Sequence, residues 1–205
     1  MITIIDYQAG NINSVQNMLK RLGYDSCVSS CPEEISRADK LILPGVGSFD
    51  YGMEMLHSHN LVPVLNELVV DRKVPILGIC LGAQLFTKSS EEGKMEGLGW
   101  FSSAKTVMFR NNGQSNFKIP HMGWSGIDLQ KPSKLFADLN DEMRFYFVHS
   151  YHIECADREN ILATSTYGYN FVSAIEHSNI IGVQFHPEKS HKYGMGILKN
   201  FVERY

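Results

Sequence analysis

The chain has 205 residues, 43% of them hydrophobic and 20% charged, and a formal net charge of −3. This composition is typical of an ordinary globular protein with its own core, and we expect a single domain over residues 1–205. The weak negative charge excludes a general attraction to nucleic acid or to anionic lipid. No apolar run has membrane-spanning length, and the first six residues lack the basic segment of a signal peptide, so we expect a cytoplasmic protein.

The first eighty residues alternate predicted strands and helices. The predicted strands cover residues 2–7, 24–29, 40–43 and 74–79. The predicted helices cover residues 12–22, 32–38 and 61–70, and a polar loop is expected between Gly47 and Leu61. Such alternation predicts an α/β fold, in which a mostly parallel central sheet carries helices on both faces.

The second half of the chain has a different pattern. Short apolar runs at residues 101–109, 143–148, 161–166, 171–175 and 180–185 predict closely spaced strands that are partly antiparallel. Residues 194–205 predict a closing helix. Four cysteines, at positions 27, 31, 80 and 155, match neither a zinc site nor a disulfide framework. We therefore expect no metal and no other cofactor.

The segment Gly78-Ile79-Cys80-Leu81-Gly82 lies between a predicted strand and a predicted helix. Glycine two places before and after a central nucleophile is the pattern of a nucleophile elbow, here with cysteine in place of serine. The elbow would expose Cys80 at a helix N-terminus, where unpaired N–H groups favour the thiolate. The N–H of Leu81 would face a developing oxyanion. The alternative, a buried packing cysteine, needs no flanking glycines.

A candidate base follows the last predicted strand, in His186-Pro187-Glu188. Proline keeps the residue before it extended, and extended residues two apart point the same way. Glu188 can therefore orient the imidazole of His186. The segment Pro44-Gly45-Val46-Gly47 also ends a predicted strand and could offer backbone N–H groups to an oxyanion, although a glycine pair in this place is often only a turn.

Six ordered segments of the chain resemble those of the class I, cysteine-triad glutamine amidotransferases, and together they are similar to the HisH family. Its members are the glutaminase subunits of imidazole glycerol phosphate synthase. The segments cover residues 5–11, 43–49, 78–84, 120–124, 147–151 and 182–190. The resemblance implies a class I glutamine amidotransferase fold with an antiparallel strand extension.

The resemblance also implies roles for individual residues. Cys80 would attack the side-chain amide of glutamine, His186 would transfer protons, and Glu188 would steady the imidazolium. The backbone of Val46 and Leu81 would form the oxyanion hole, once the peptide of Val46 turns toward the site. The amino acid portion of glutamine would be held by Gly47, Gln84, Ser150 and Tyr151.

In the HisH family, ammonia passes into a (β/α)8-barrel cyclase subunit, HisF, that closes over the glutaminase site. The barrel uses this ammonia to make imidazole glycerol phosphate and an aminoimidazole carboxamide ribotide, AICAR, in histidine biosynthesis. The resemblance therefore implies a heterodimer. Its implied interface residues are His121, Trp124, Tyr146 and Lys189. The alternative for each of them is ordinary packing or a solvated side chain.

Two departures from the family pattern leave an alternative partner open. Gln8 stands where the family usually has glycine, and Ser125 stands where it usually has asparagine. The main alternative is a paralogous glutaminase that feeds ammonia through a cyclase-like barrel to a sugar amidotransferase for surface polysaccharide. A stand-alone cysteine hydrolase would share the elbow but would not need Gln84 or the segment around Trp124. A non-enzymatic homologue is expected to lack a triad residue.

Overall fold

The computed structural model describes residues 1–111, 117–139 and 142–205. Its twelve described strands are, in chain order, β1 (Ile2–Ile5), β2 (Ser26–Ser29), β3 (Lys40–Gly45), β4 (Ile76–Cys80), β5 (Ala104–Met108), β6 (His121–Gly126), β7 (Asp128–Leu129), β8 (Arg144–His149), β9 (Tyr151–Cys155), β10 (Ile161–Tyr167), β11 (Tyr169–His177) and β12 (Ile180–Val183).

The helices are α1 (Ile12–Arg21), α2 (Pro32–Ile35), α3 (Phe49–Ser58), α4 (Leu61–Asn66), α5 (Leu81–Gln84) and α6 (His191–Arg204). Short 3-10 turns cover Lys134–Phe136, Arg158–Asn160 and Pro187–Lys189. Among the described helices, none is long and apolar enough to cross a membrane.

Ten of the described strands form one sheet, in the order β2-β1-β3-β4-β12-β11-β10-β7, with β9 beside β11 and β5 beside β9. The pairs from β2 to β12 are parallel, and those from β12 onward are antiparallel. The parallel half followed by an antiparallel extension agrees with the predicted α/β fold. Strands β6 and β8 form a separate antiparallel ribbon.

Alternating residues of the parallel strands pack against helices on the two faces of the sheet. Leu41 and Leu43 of β3 lie in one core cluster, with Met53 of α3 and Leu65 of α4. Ile42, between them in sequence, lies in the other cluster, together with side chains of α1 and α6. This two-sided burial is why the strands are nearly continuous apolar runs.

The predicted polar loop after Gly47 is wrong, because this segment contains α3. Phe49, Met53 and Leu56 follow helical spacing and are fully or almost fully buried, so a usable signal was present. The predicted helix over residues 61–70 is divided into α4 and a π-helical turn at Glu67–Asp71. Strand β6 was also missed, because glycines interrupt its apolar positions and half of it faces solvent.

Candidate active site

Cys80 lies at the tip of the central strand β4, where the chain turns abruptly into α5. Its φ of 54° and ψ of −111° are outside the usual conformations of a non-glycine residue. Such strain of about 1–3 kcal/mol persists only where the surrounding structure enforces it. A Cβ on Gly78 would lie 2.6 Å from the Phe86 ring, and one on Gly82 would overlap the Leu43 carbonyl. The two glycines therefore permit the close turn at Cys80, which is only 7% exposed and so less exposed than predicted.

A cleft of about 330 Å³ opens beside this sulfur. Eight residues of the predicted site line it, and they are Val46, Gly47, Cys80, Leu81, Gln84, Ser150, Tyr151 and His186. They come from the ends of β3, β4, β8 and β12 and from the turns that follow. The carboxyl ends of adjacent parallel strands thus bring distant parts of the sequence to one crevice, as expected for an α/β sheet.

His186 follows β12, the neighbour of β4 in the sheet, and its side chain is almost fully buried. Its Nδ1 lies 2.8 Å from Oε1 of Glu188, whose side chain is only 1% exposed. A carboxylate accepts, so Nδ1 donates to Glu188, and Nε2 is the ring nitrogen left to face the cleft. Nε2 is buried, has no nitrogen or oxygen partner among the described residues, and interacts with the sulfur of Cys80. It is therefore available to the sulfur and the ligand of the cleft.

Burial of His186 disfavours its charged form, but the neighbouring sulfur of Cys80 and the carboxylate of Glu188 outweigh burial. Together they raise the pKa of His186 from 6.5 to about 10. The raised pKa keeps His186 protonated, which suits a residue that must give a proton to the leaving nitrogen in acyl transfer.

The backbone of His186 is held in place by the β6–β8 ribbon. Its N–H donates to the carbonyl of Tyr146 at 2.9 Å. The hydroxyl of Ser190 donates to the His186 carbonyl at 2.6 Å and accepts from the N–H of Tyr146 at 3.0 Å. Ser190, which was not predicted, therefore ties the base to a strand of the ribbon.

The two expected oxyanion donors differ in this structure. Leu81 begins α5, so its N–H is one of the first-turn groups that have no acceptor within the helix. The N–H of Val46 instead donates to the carbonyl of Ala9 at 2.6 Å. Gly47, which follows, has a φ of +112° that favours glycine. The Val46 peptide would have to turn before it could serve the site.

Gln84 is held by both hydrogens of its amide. Its Nε2 donates to the carbonyl of Tyr151 at 2.9 Å and to Oε1 of Gln184 at 3.0 Å. The Oε1 of Gln84 is thus the atom left to accept a hydrogen bond from a ligand. Glu92 also lines the cleft, although no local sequence pattern indicates it. Its carboxylate accepts from the N–H of Phe49 at the start of α3 and could meet a ligand ammonium.

A chain of hydrogen bonds leads from the cleft into the ribbon. His149 Nδ1 donates to the Tyr151 carbonyl at 2.8 Å, so its Nε2 accepts from Nδ1 of His121 at 3.0 Å. Nε2 of His121 in turn accepts from the Ser125 hydroxyl at 3.0 Å. Burial lowers the pKa of His149 to about 3 and that of His121 to about 4. Both rings are therefore neutral.

Three of the four predicted interface residues share one surface. Trp124 of β6 is 39% exposed and lies opposite Tyr146 of β8, with ring centroids 6.1 Å apart. The Lys189 ammonium lies 5.7 Å from the centre of the Tyr146 ring. The fourth, His121, is buried, because its side chain is only 1% exposed. It points to the opposite side of the strand from the exposed Met122 and stacks on Tyr167.

The Glutamine amidotransferase class-I family model matches residues 3–205. Solved structures have the same fold at low sequence identity. A glutamine amidotransferase aligns with a TM-score of 0.73 at 16% identity, over 99% of this chain and 98% of that chain. The glutaminase domain of Trypanosoma brucei CTPS, with bound acivicin, aligns with a TM-score of 0.67 at 16% identity, over 100% and 94%. The predicted class I fold is therefore confirmed.

The fold and the family match define a class I glutamine amidotransferase, and the chain is an enzyme of this class. Imidazole glycerol phosphate synthase subunit HisH 2 of Methanococcus maripaludis is 52% identical over 100% of both chains. The subunit of the same name in Pseudomonas aeruginosa is 47% identical over 99% of both. Subunit HisH of Bdellovibrio bacteriovorus is 45% identical over 99% of this chain and 100% of its own. This chain belongs to the HisH family.

Proposed function

We propose that the chain hydrolyses glutamine to glutamate and delivers the ammonia to a (β/α)8-barrel cyclase, as the glutaminase subunit in histidine biosynthesis. One observation carries the proposal. The strained Cys80 of the elbow and His186, which is paired with the buried Glu188, line one cleft at the tips of adjacent strands. The relatives at 45–52% identity carry the name of the corresponding subunit.

The reaction would proceed through a thioester. The Cys80 sulfur attacks the carboxamide carbon of glutamine, and a tetrahedral intermediate forms with its negative charge on oxygen. Nε2 of His186 gives its proton to the leaving nitrogen, and ammonia departs as the C–N bond breaks. A water molecule then gives a proton back to Nε2 as it attacks the thioester. Glutamate leaves and the thiolate is restored.

Glu188 would hold His186 in the required tautomer during both steps. The free Oε1 of Gln84 and the carboxylate of Glu92 suit the hydrogen-bond donors and the ammonium of an amino acid. Gly47, Ser150 and Tyr151 would offer backbone groups along the same wall of the cleft.

Leu81 supplies one oxyanion donor at rest, and Val46 would supply the second after its N–H leaves the Ala9 carbonyl. Loss of one such donor reduces turnover by roughly 10²–10³-fold. We therefore expect the isolated chain to be nearly inactive and the barrel partner to favour the turned peptide. Trp124, Tyr146 and Lys189 would form part of the surface on which the partner docks.

The test is glutamate release by the complex of this chain with its barrel partner. Cys80→Ala should abolish glutaminase activity while partner binding and the unfolding midpoint stay close to wild type. Cys155→Ala, which removes another buried cysteine outside the cleft, is the matched control and should remain active. Measurable turnover by the Cys80 variant would show that a different nucleophile operates.

A second candidate function is favoured by the numeral in the names of two relatives, HisH 2 of Methanococcus maripaludis and of Pseudomonas aeruginosa. A numbered subunit suits a paralogous pair that feeds ammonia to a sugar amidotransferase for surface polysaccharide. The two functions are separated by adding the nucleotide substrate of the histidine pathway to the complex. Faster glutamate release supports histidine biosynthesis, and an unchanged rate supports the second candidate.

A further inference from the structure

Gln184 is a buried amide whose position suggests a role in the glutaminase chemistry proposed above. It lies two residues before His186 and is 1% exposed. Its Nε2 donates to the Cys80 sulfur at 3.6 Å, within the range of a hydrogen bond to sulfur. Gln184 is therefore, among the described residues, a neutral side chain that donates a hydrogen to the nucleophilic atom itself.

The orientation of the Gln184 amide is fixed by its other neighbour. Its Oε1 accepts from Nε2 of Gln84 at 3.0 Å. Gln84 cannot turn its amide around without penalty, because its Nε2 also donates to the carbonyl of Tyr151. The oxygen of Gln184 must therefore face Gln84, and its NH2 group must face the sulfur.

An amide is well suited to this position. A sulfur accepts hydrogen bonds more strongly as a thiolate than as a thiol, so a fixed N–H donor favours the attacking form. Unlike a second histidine or a lysine, an amide does not compete with His186 for a proton. The donor also limits rotation of the sulfur, which matters because small errors in position reduce the rate strongly.

We propose that Gln184 is a positioning residue that holds the Cys80 sulfur as a thiolate directed into the cleft, and that Gln84 in turn orients Gln184. The inference rests on the proposed role of Cys80 as nucleophile. It extends that role by assigning an activating group in addition to the triad. Side chains alternate in direction along extended backbone, so Gln184 and His186 both face the sulfur. Phe185, between them, points the other way and is buried against Phe145.

The test measures alkylation of Cys80 by iodoacetamide in the full chain, followed by mass spectrometry of the peptide that contains it. This reagent needs neither glutamine nor the partner. Gln184→Leu removes the donor, and we expect alkylation about tenfold slower at pH 7. Gln184→Glu keeps the size and the acceptor for Gln84 but places negative charge beside the sulfur, so we expect an even slower reaction.

The pH dependence separates activation from packing. Other titratable groups near the sulfur are His186, which is paired with Glu188, and the buried phenol of Tyr7. All three remain in the Gln184 variants. If Gln184 favours the thiolate, the deficit of Gln184→Leu should be smaller at pH 9.5 than at pH 7, because higher pH favours the thiolate in every variant. A purely structural defect would persist at both pH values.

Asn200→Leu is the matched control, because it removes another buried amide, one that donates to the carbonyls of Leu135 and Ala137. It should alkylate like wild type after allowance for any change in stability. If Gln184→Leu fails to fold, two other variants test whether Gln184 activates the sulfur. They are Gln184→Glu, and Gln84→Met, which removes the group that orients the Gln184 amide. Wild-type alkylation rates in folded Gln184 variants would overturn the inference. If Cys80→Ala is inactive while the Gln184 variants alkylate like wild type, the proposed function stands and only the inference about Gln184 is wrong.

Discussion

Replacing Gly82 with alanine is expected to displace the nucleophile elbow. A Cβ at this position would lie 2.9 Å from the carbonyl carbon of Leu43 and closer still to the carbonyl oxygen. Contacts of real Cβ atoms essentially never fall below 3.0 Å. The obstacle is the backbone of β3, which cannot rotate away as a flexible side chain could. The elbow must therefore move by a sizeable fraction of an ångström. Overpacking of this kind costs about 3 kcal/mol, the upper end of the usual range.

For a chain of this length, each kcal/mol lowers the melting temperature by roughly 2–4 °C, so Gly82→Ala should melt about 6–12 °C lower. Activity should fall further than stability alone explains, by about 10²-fold, because the sulfur and the N–H of Leu81 move together. Thermal unfolding followed by circular dichroism, and glutamate release by the folded complex, measure the two effects separately.

Gly99→Ala is the control for this experiment. Gly99 has a φ of +70°, but a Cβ added there would meet no heavy atom within 4 Å, so only backbone strain opposes the change. We expect a loss of about 1–2 kcal/mol and unchanged turnover per folded molecule. A Gly82→Ala protein with wild-type melting and wild-type turnover would refute the argument that close backbone approach shapes the elbow.

Three further predictions concern pH, the first loop and the docking surface. His149 has a pKa of about 3 when folded and about 6.5 when unfolded, so between these pH values only the unfolded chain takes up a proton. Between pH 7 and pH 4, the free energy of unfolding of wild type should therefore fall by about 3 kcal/mol more than that of His149→Phe. Denaturant titrations at the two pH values measure the difference, and equal losses would contradict the prediction. Gln8 has a φ of 63°, a conformation that glycine adopts more easily than alanine. The Gln8→Gly variant should therefore be more stable than Gln8→Ala by about 0.5 kcal/mol, after the larger unfolded-state entropy of glycine is subtracted. The reverse order would exclude backbone strain at this position. Lys189→Ala should weaken partner binding about two- to fivefold in a binding titration. Lys134→Ala removes a comparable cation–tyrosine contact elsewhere and should leave the affinity unchanged. Unchanged affinity for the Lys189 variant would show that Lys189 is not part of the interface.

The parallel half of the fold and the surroundings of the nucleophile follow from short-range patterns. Apolar runs of strand length fix β1, β3 and β4, because strands buried on both faces have no polar alternation. The glycines around Cys80 identify the elbow for a local reason, since a side chain at Gly78 or Gly82 would overlap its neighbours. The His186–Glu188 contact likewise follows from a two-residue spacing.

What the sequence did not predict depends on contacts made at long range. Nothing near Gln184 in the chain indicates a bond to Cys80, since the two residues are 104 positions apart. His121 is polar but buried, because a hydrogen-bond partner on β8 and an aromatic stack allow its burial, and neither contact is visible in the local sequence. The Val46 peptide faces Ala9 because of a loop-to-loop bond that no local pattern encodes.

The strand order has a consequence for how activity arises during folding. Strand β12, which leads into the base, inserts between β4 and β11 although it is the last strand of the chain to be synthesised. A growing polypeptide therefore carries its thiol long before the imidazole exists to activate it. The thiol of Cys80 should become reactive only when β12 inserts into the sheet. An incomplete chain should therefore be unreactive, and only the completed chain can hydrolyse glutamine.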